Sequence, residues 1–218
     1  MTFAVELHLQ KPILVLKNKM TLYKVLLPII WIVFFASVFV IPTVITWKRT
    51  GVNPFVFGTT DSAHDYLGKV YRLMILASCI SIVCYSFFPD AYYYLSPIQY
   101  MEKDILPQLG LICIVSSFVI TIIALYNMSD SWRIGIDYEE HNDLITSGIF
   151  KYSRNPVFLG INLVNIGTLL IIPNTLTILV FVTSFVVFEV QVRLEEEYLV
   201  NKHGEDYIIY KKRVRRWL

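Results

Sequence analysis

The sequence predicts an all-α, polytopic integral membrane protein. Three observations carry that reading: too few charges to wet a globular surface, apolar runs long enough to cross a bilayer, and basic residues gathered on one side of those runs. Of the 218 residues, 56% are hydrophobic and 17% charged, with a mean hydropathy of +0.57. A soluble domain carries about a quarter charged residues. The formal net charge of +2 excludes nucleic-acid binding as the main task, because phosphate recognition needs a massed basic face. Cys79, Cys84 and Cys113 lie in apolar runs without metal-ligand spacing, so neither a disulfide framework nor a zinc site is indicated.

A spanning helix needs about 20 mostly apolar residues. About five segments qualify: Leu22–Trp47, Val70–Phe88, Ile105–Tyr126, Val157–Ile172 and Thr175–Val192. The first is too long for a signal-peptide core and lacks a small-residue cleavage site, so it reads as a retained span. Its Pro28 and Pro42 fall near its ends or kink it. Only Pro173 and Asn174 separate the last two segments, which predicts a tight turn between antiparallel helices lying at or slightly inside the far membrane face. With no repeat or linker in view, residues 1–218 read as one membrane domain: three N-terminal spans over 1–126, then a core over 127–218 that ends in a C-terminal helix.

Orientation follows the distribution of Lys and Arg. Of 19 basic residues, 5 fall on the N-terminal side of the five spans and 14 on the other. The expected topology therefore has the N-terminus outside and the C-terminus, with its final helix, in the cytoplasm.

Two polar stretches meet the membrane on that basic side, Ser131–Gly160 and Glu189–Leu218. Because the hairpin brings its two ends together, the stretches should face each other. Asn155-Pro156 starts a helix, and Arg154 stands just before its N-terminus. Arg154 either holds an anion there or snorkels to the lipid headgroups, and the residues alone leave both open. In the second stretch, Gln191 and Glu195 share a helix face, with Arg193 and Glu196 beside them. Consecutive carboxylates directly after a span must offset their desolvation with partners, and Glu195 and Glu196 lie opposite Arg154. The tail Lys211-Lys212-Arg213-Val214-Arg215-Arg216-Trp217 reads as a basic segment on anionic lipid. His8, His64, His141 and His203 share no ligand spacing, so no metal is expected. Aromatic residues within the spans read as interfacial belt.

These stretches resemble the membrane-embedded methyltransferases of the isoprenylcysteine carboxyl methyltransferase family, with phospholipid methyltransferases as more distant relatives. The matching blocks are Leu144-Ile145-Thr146-Ser147-Gly148, then Arg154-Asn155-Pro156 to Gly160, then Arg193-Leu194-Glu195-Glu196, then His203-Gly204, Tyr207, Tyr210 and Arg213-Val214-Arg215-Arg216-Trp217. They cover about the last 90 residues in the family's order and spacing. The sequence departs from the family at Asn155, where a histidine is expected, at Phe150 and Phe158, where tyrosines are, and at Gln191, often an arginine linked to the substrate carboxylate.

The resemblance implies methyl transfer from S-adenosylmethionine to a lipophilic acceptor entering from the bilayer, most like an isoprenylcysteine carboxylate and alternatively a lipophilic amine or thiol. It places Asn142, Asp143, Leu144, Ile145, Phe150, Asn155, Phe158 and Glu195 around the cofactor. Arg154 would engage a carboxylate of cofactor or substrate, and Gln191 and Arg193 would face the substrate. For an amine acceptor, Glu196 would be the base, its pKa raised by burial. The absence of a strand–GxGxxG–helix unit agrees with a family that binds its donor without a Rossmann fold. A nicotinamide-dependent sterol-type reductase and a non-catalytic membrane protein are the competing classes.

Overall fold

The computed structural model describes residues 22–58, 61–101, 105–135 and 143–218. Among the described residues the regular structure is helical, with two isolated β-bridges and no strand. Helix α1 runs Leu22–Thr50, α2 Ala63–Phe87, α3 Pro89–Tyr93, α4 Ile105–Met128, α5 Pro156–Ile171, α6 Thr175–His203 and α7 Glu205–Arg213.

Four of these, α1, α2, α4 and α6, are long and apolar enough to cross a membrane. Large apolar side chains such as Leu73, Ile112, Val119 and Val186 point outward from them, as lipid-facing residues do. The chain is an integral multi-pass membrane protein. Helix α5 has 16 residues, so it reaches only about 24 Å, short of a hydrocarbon layer of about 30 Å. Of the five expected spans, four coincide with helices long enough to cross, and the remaining one is this short apolar helix.

Each element has a local cause. Pro42 lacks an N–H and its ring crowds the carbonyl four residues back, at Val38. Helix α1 absorbs this as a π-helical stretch over Ala36–Val40. Ser62 caps α2 by accepting from the Asp65 N–H at 3.1 Å. At the α5–α6 turn, Asn174 and Thr177 form a reciprocal capping box, and the buried Asn174 side chain also donates to Ser81 Oγ of α2 at 2.8 Å. The turn is further covered by the segment after α3, whose Ile98 N–H donates to Pro173 O.

Helices α4 and α5 form the most intimate pair, and small residues explain it. A Cβ on Gly110 would meet Gly167 O at 2.6 Å, and one on Gly167 would meet Gly110 O at 2.6 Å. One turn further along, Ser117 Oγ donates to Gly160 O at 2.6 Å. In lipid, where apolar surface gains little from burial, such close backbone approach and hydrogen bonding hold helices together. Helix α5 is thereby fixed against α4, and its N-terminal end is fixed with it.

Candidate active site

The N-terminal end of α5 and the last turns of α6 lie side by side. Arg154 Nη2 donates to Glu196 Oε1 at 2.6 Å, across the gap between the two polar stretches. Both side chains are almost wholly buried, 7% and 5% exposed. Arg154 is thus an anion-holding residue and does not snorkel, and its anion is Glu196.

Glu196 meets two more cations. Arg216 donates to it twice, from Nε at 3.0 Å and from Nη2 at 2.9 Å, and Lys211 Nζ lies 3.1 Å from Oε2. A carboxylate gripped by three cations keeps its charge, at odds with the raised pKa expected of Glu196 from burial. The same contacts correct the reading of the tail. Lys212, Arg213 and Arg215 are exposed and free to meet lipid, but the chain carrying them is a latch. Its carbonyls accept from Arg154: Lys211 O and Val214 O from Nη1, at 2.8 and 3.2 Å, and Arg215 O from the backbone N–H at 3.0 Å. Arg216 O accepts from Asn155 Nδ2 at 3.0 Å, and the Trp217 indole donates to Glu189 at 2.7 Å.

Helix α7 holds the latch in place. Tyr210 donates to Phe150 O at 2.7 Å, and its hydroxyl is pushed up to about 12 by burial, against the opposing charge of Arg154. Burial likewise raises Tyr207, with the Glu196 charge adding to it. The Glu196 hydrogen bond keeps Arg216 above the ordinary arginine range, against the opposing effect of burial.

Beside this cluster opens a cavity of about 520 Å³. Its polar end is lined by Arg154, Asn155, Gln191 and Glu195, with the rings of Phe150 and Phe158. Gln191 Nε2 donates to Glu195 Oε1 at 2.8 Å. Arg154 Nε, Gln191 Oε1 and the Tyr71 hydroxyl are buried polar atoms of the cavity walls without a hydrogen-bond partner. Such orphans cost free energy unless a ligand meets them.

Six residues named from the sequence therefore line one cavity. Glu196 and Arg193 do not: Arg193 is exposed, pairs with Glu189 on its own helix, and borders a separate small polar pocket with Glu196. Asp143, Leu144 and Ile145 lie on the segment leading to Phe150 and do not line the cavity, with Asp143 exposed and within electrostatic reach of His203. Asn142 lies outside the described residues.

The sequence reading missed the other end of the cavity, which comes from the N-terminal spans. Trp31, Phe34, Phe35 and Phe39 of α1 and Tyr71 of α2 line it. On α1 the pattern Trp31, Phe34, Phe35, Phe39, with steps of three and four residues from Trp31 and of four from Phe35, was the available signal, set aside as interfacial belt. A cap borders the cavity where the α1–α2 loop pairs with the segment after α4: Val56 N–H donates to Ile134 O and Ile134 N–H to Pro54 O, at 3.1 and 2.8 Å. Phe57 and Trp132 hang from that cap into the cavity. Among the described residues, no three His, Cys, Asp or Glu side chains gather as a metal site.

Residues 106–206 match the family model described as phospholipid methyltransferase. The protein-S-isoprenylcysteine O-methyltransferase of Dictyostelium discoideum is 30% identical over 108 residues, covering 48% of this chain and 46% of that protein. Its counterpart in Saccharomyces cerevisiae is 30% identical over 109 residues, covering 49% and 46%. The A form from Arabidopsis thaliana is 31% identical over 108 residues, covering 48% and 55%. The matched part spans about half the length of these relatives. A solved structure of the eukaryotic intramembrane Ras methyltransferase, isoprenylcysteine carboxyl methyltransferase, superposes with a TM-score of 0.60 at 21% identity, covering 87% of this chain and 63% of that one. At that identity the superposition speaks for the fold. The resemblance read from the sequence is borne out: the C-terminal half of this chain is similar to the isoprenylcysteine carboxyl methyltransferases of the phospholipid methyltransferase family, and the chain shares the fold of one of them.

Proposed function

We propose that this protein is an S-adenosylmethionine-dependent methyltransferase whose acceptor carries a lipophilic tail, the class of substrate named for its isoprenylcysteine relatives. The observation that carries the reading is the cavity's two-sided lining. One end offers Arg154, Asn155, Gln191 and Glu195, and the other is walled by aromatic side chains of the membrane helices. A charged donor and an apolar acceptor need those two environments side by side.

The residues fit the donor. Arg154 Nε is a buried N–H donor without a partner, suited to a carboxylate. Glu195 has one hydrogen bond, from Gln191, and suits a cationic centre. Phe150 and Phe158 offer ring faces for a base or a sulfonium. When bound, the donor supplies a methyl group on a cationic sulfur, ready for in-line displacement. The protein's own contribution is position and dryness. Glu196, Arg216 and the tail carbonyls hold Arg154 in one orientation. Phe57 and Trp132 of the cap add apolar rings to the lining on the acceptor side.

The positive-inside count supports a cytoplasmic C-terminus, with the donor reaching the polar end from the cytosol and the acceptor arriving laterally from the bilayer. The test is transfer of radiolabelled methyl from S-adenosylmethionine to farnesyl-tailed acceptors and to membrane lipid extract, with donor binding measured separately by calorimetry. Label in the organic phase together with donor binding supports the reading. Binding of neither donor nor lipid, with no label, overturns it.

A further inference from the structure

The polar end of the cavity is asymmetric in a way that bears on the acceptor. This inference rests on the methyltransferase reading above and deepens it. Gln191 is 1% exposed, and its two polar atoms have different fates. Nε2 is committed to Glu195 Oε1 at 2.8 Å, while Oε1 is buried without a partner. While Glu195 is ionised the amide does not turn over to exchange them, because Oε1 would then face its carboxylate. The atom Gln191 leaves available is therefore a hydrogen-bond acceptor.

It is not alone. The Tyr71 hydroxyl, from α2, is also buried and unpartnered. Tyr71 packs on Phe188 of α6, one turn from Gln191, with ring centroids 5.8 Å apart, and on Phe57 of the cap, 5.5 Å away. Gln191 thus sits between the carboxylate and a wall of rings, where the head of a lipid-tailed acceptor would lie. Of the cations near that place, Arg154 keeps only its Nε unpartnered, the atom assigned above to the carboxylate of the donor. Two nitrogens of Arg154 serve Glu196 and the tail carbonyls. Arg72 is exposed and lies over the Phe55 ring, and Arg133 Nη1 donates to Trp132 O at 2.8 Å.

We propose that Gln191 determines acceptor choice, its Oε1 together with Glu195 and the surrounding rings selecting a lipophilic amine and disfavouring a carboxylate. A carboxylate placed there would meet a carbonyl oxygen and a second carboxylate. An ammonium would meet two acceptors and several ring faces. The bound ammonium gives one proton to Glu195. The neutral amine then forms its N–C bond with its own lone pair as the donor's C–S bond breaks, that electron pair staying on sulfur. The new N-methylammonium carries the charge the sulfonium loses.

The test is equilibrium binding of a farnesyl-tailed amine, the matching carboxylate and the matching alcohol to purified full-length protein without methyl donor, followed by methyl transfer to each. The amine is expected to bind at least tenfold tighter than the carboxylate and to be the labelled product. Gln191→Arg should reverse that order, and Gln191→Glu, which preserves the shape, should keep it should the arginine variant fail to fold. Tighter binding and labelling of the carboxylate by the unaltered protein would overturn the assignment while leaving the methyltransferase reading intact. An unaltered protein that binds no S-adenosylmethionine would instead remove that broader reading.

Discussion

The two ends of the cavity are built by opposite means. At the polar end, side chains and tail carbonyls from α5, α6 and the C-terminal segment are tied by directional contacts, most within 3.2 Å, converging on Arg154 and Glu196. At the aromatic end, helices α1 and α2 and the loop between them contribute rings and few polar atoms: Phe34 packs edge-to-face on Phe118 of α4, and Phe57 of the loop stacks on His64. The polar end tolerates little change, because each charge exists to satisfy another. The apolar end is specified by volume. A protein that must hold a charged donor beside a greasy acceptor needs one rigid wall and one accommodating wall.

The sharpest way to break the comparison is to remove the centre of the rigid wall. Glu196→Leu leaves Arg154 and Arg216 buried or half-buried without their carboxylate, and losing one partner of a buried pair costs roughly 3–5 kcal/mol. We expect a large fall in the melting temperature of the purified protein and loss of donor binding in calorimetry. Glu196→Gln should recover part of the stability. A Glu196→Leu protein as stable as the parent would mean the latch does not hold the site.

The same comparison explains what could be read from sequence. Arg154, Asn155, Gln191 and Glu195 were legible because polar residues are expensive at a membrane boundary, so their presence there already signals partners. The hairpin was legible from Pro173-Asn174 and the apolar runs beside it. Tyr71 and the α1 rings were not, because an aromatic side chain in a span looks alike whether it faces lipid or a cavity. Only the third dimension separates Tyr71, whose hydroxyl is buried, from Tyr93, which is 73% exposed. The tail misled for a related reason. Its side-chain charges suggested lipid, whereas the latch is made largely by backbone carbonyls, which sequence does not announce.

A change of intermediate size tests the scaffold behind both walls. Gly167→Val would press its side chain on Gly110 O and Ile114 at the α4–α5 contact, both at 2.6 Å from the first added carbon. Overpacking of this kind costs about 1–3 kcal/mol. Because α5 carries Asn155 at its N-terminal end, the strain should weaken donor binding along with stability, seen as a lowered melting temperature that excess donor only partly restores. Unchanged stability would show that α4 and α5 can slide apart without disturbing the site.

The smallest effect separates the carboxylate pair inside from the one outside. Arg193 is paired to Glu189 on the exposed face of α6, and its side chain is 57% exposed. Glu189 also accepts from Trp217 at 2.7 Å and lies 3.8 Å from Arg216, so its charge stays compensated when Arg193 is gone. Exposed pairs of this kind contribute about 0–1 kcal/mol. Arg193→Ala should therefore leave the melting temperature, donor affinity and methyl transfer within about twofold of the parent, with any residual effect shrinking as salt is added. A tenfold loss of transfer with stability intact would place Arg193 at the substrate after all, and the division between a working wall and a solvated face of the same helix would have to be redrawn.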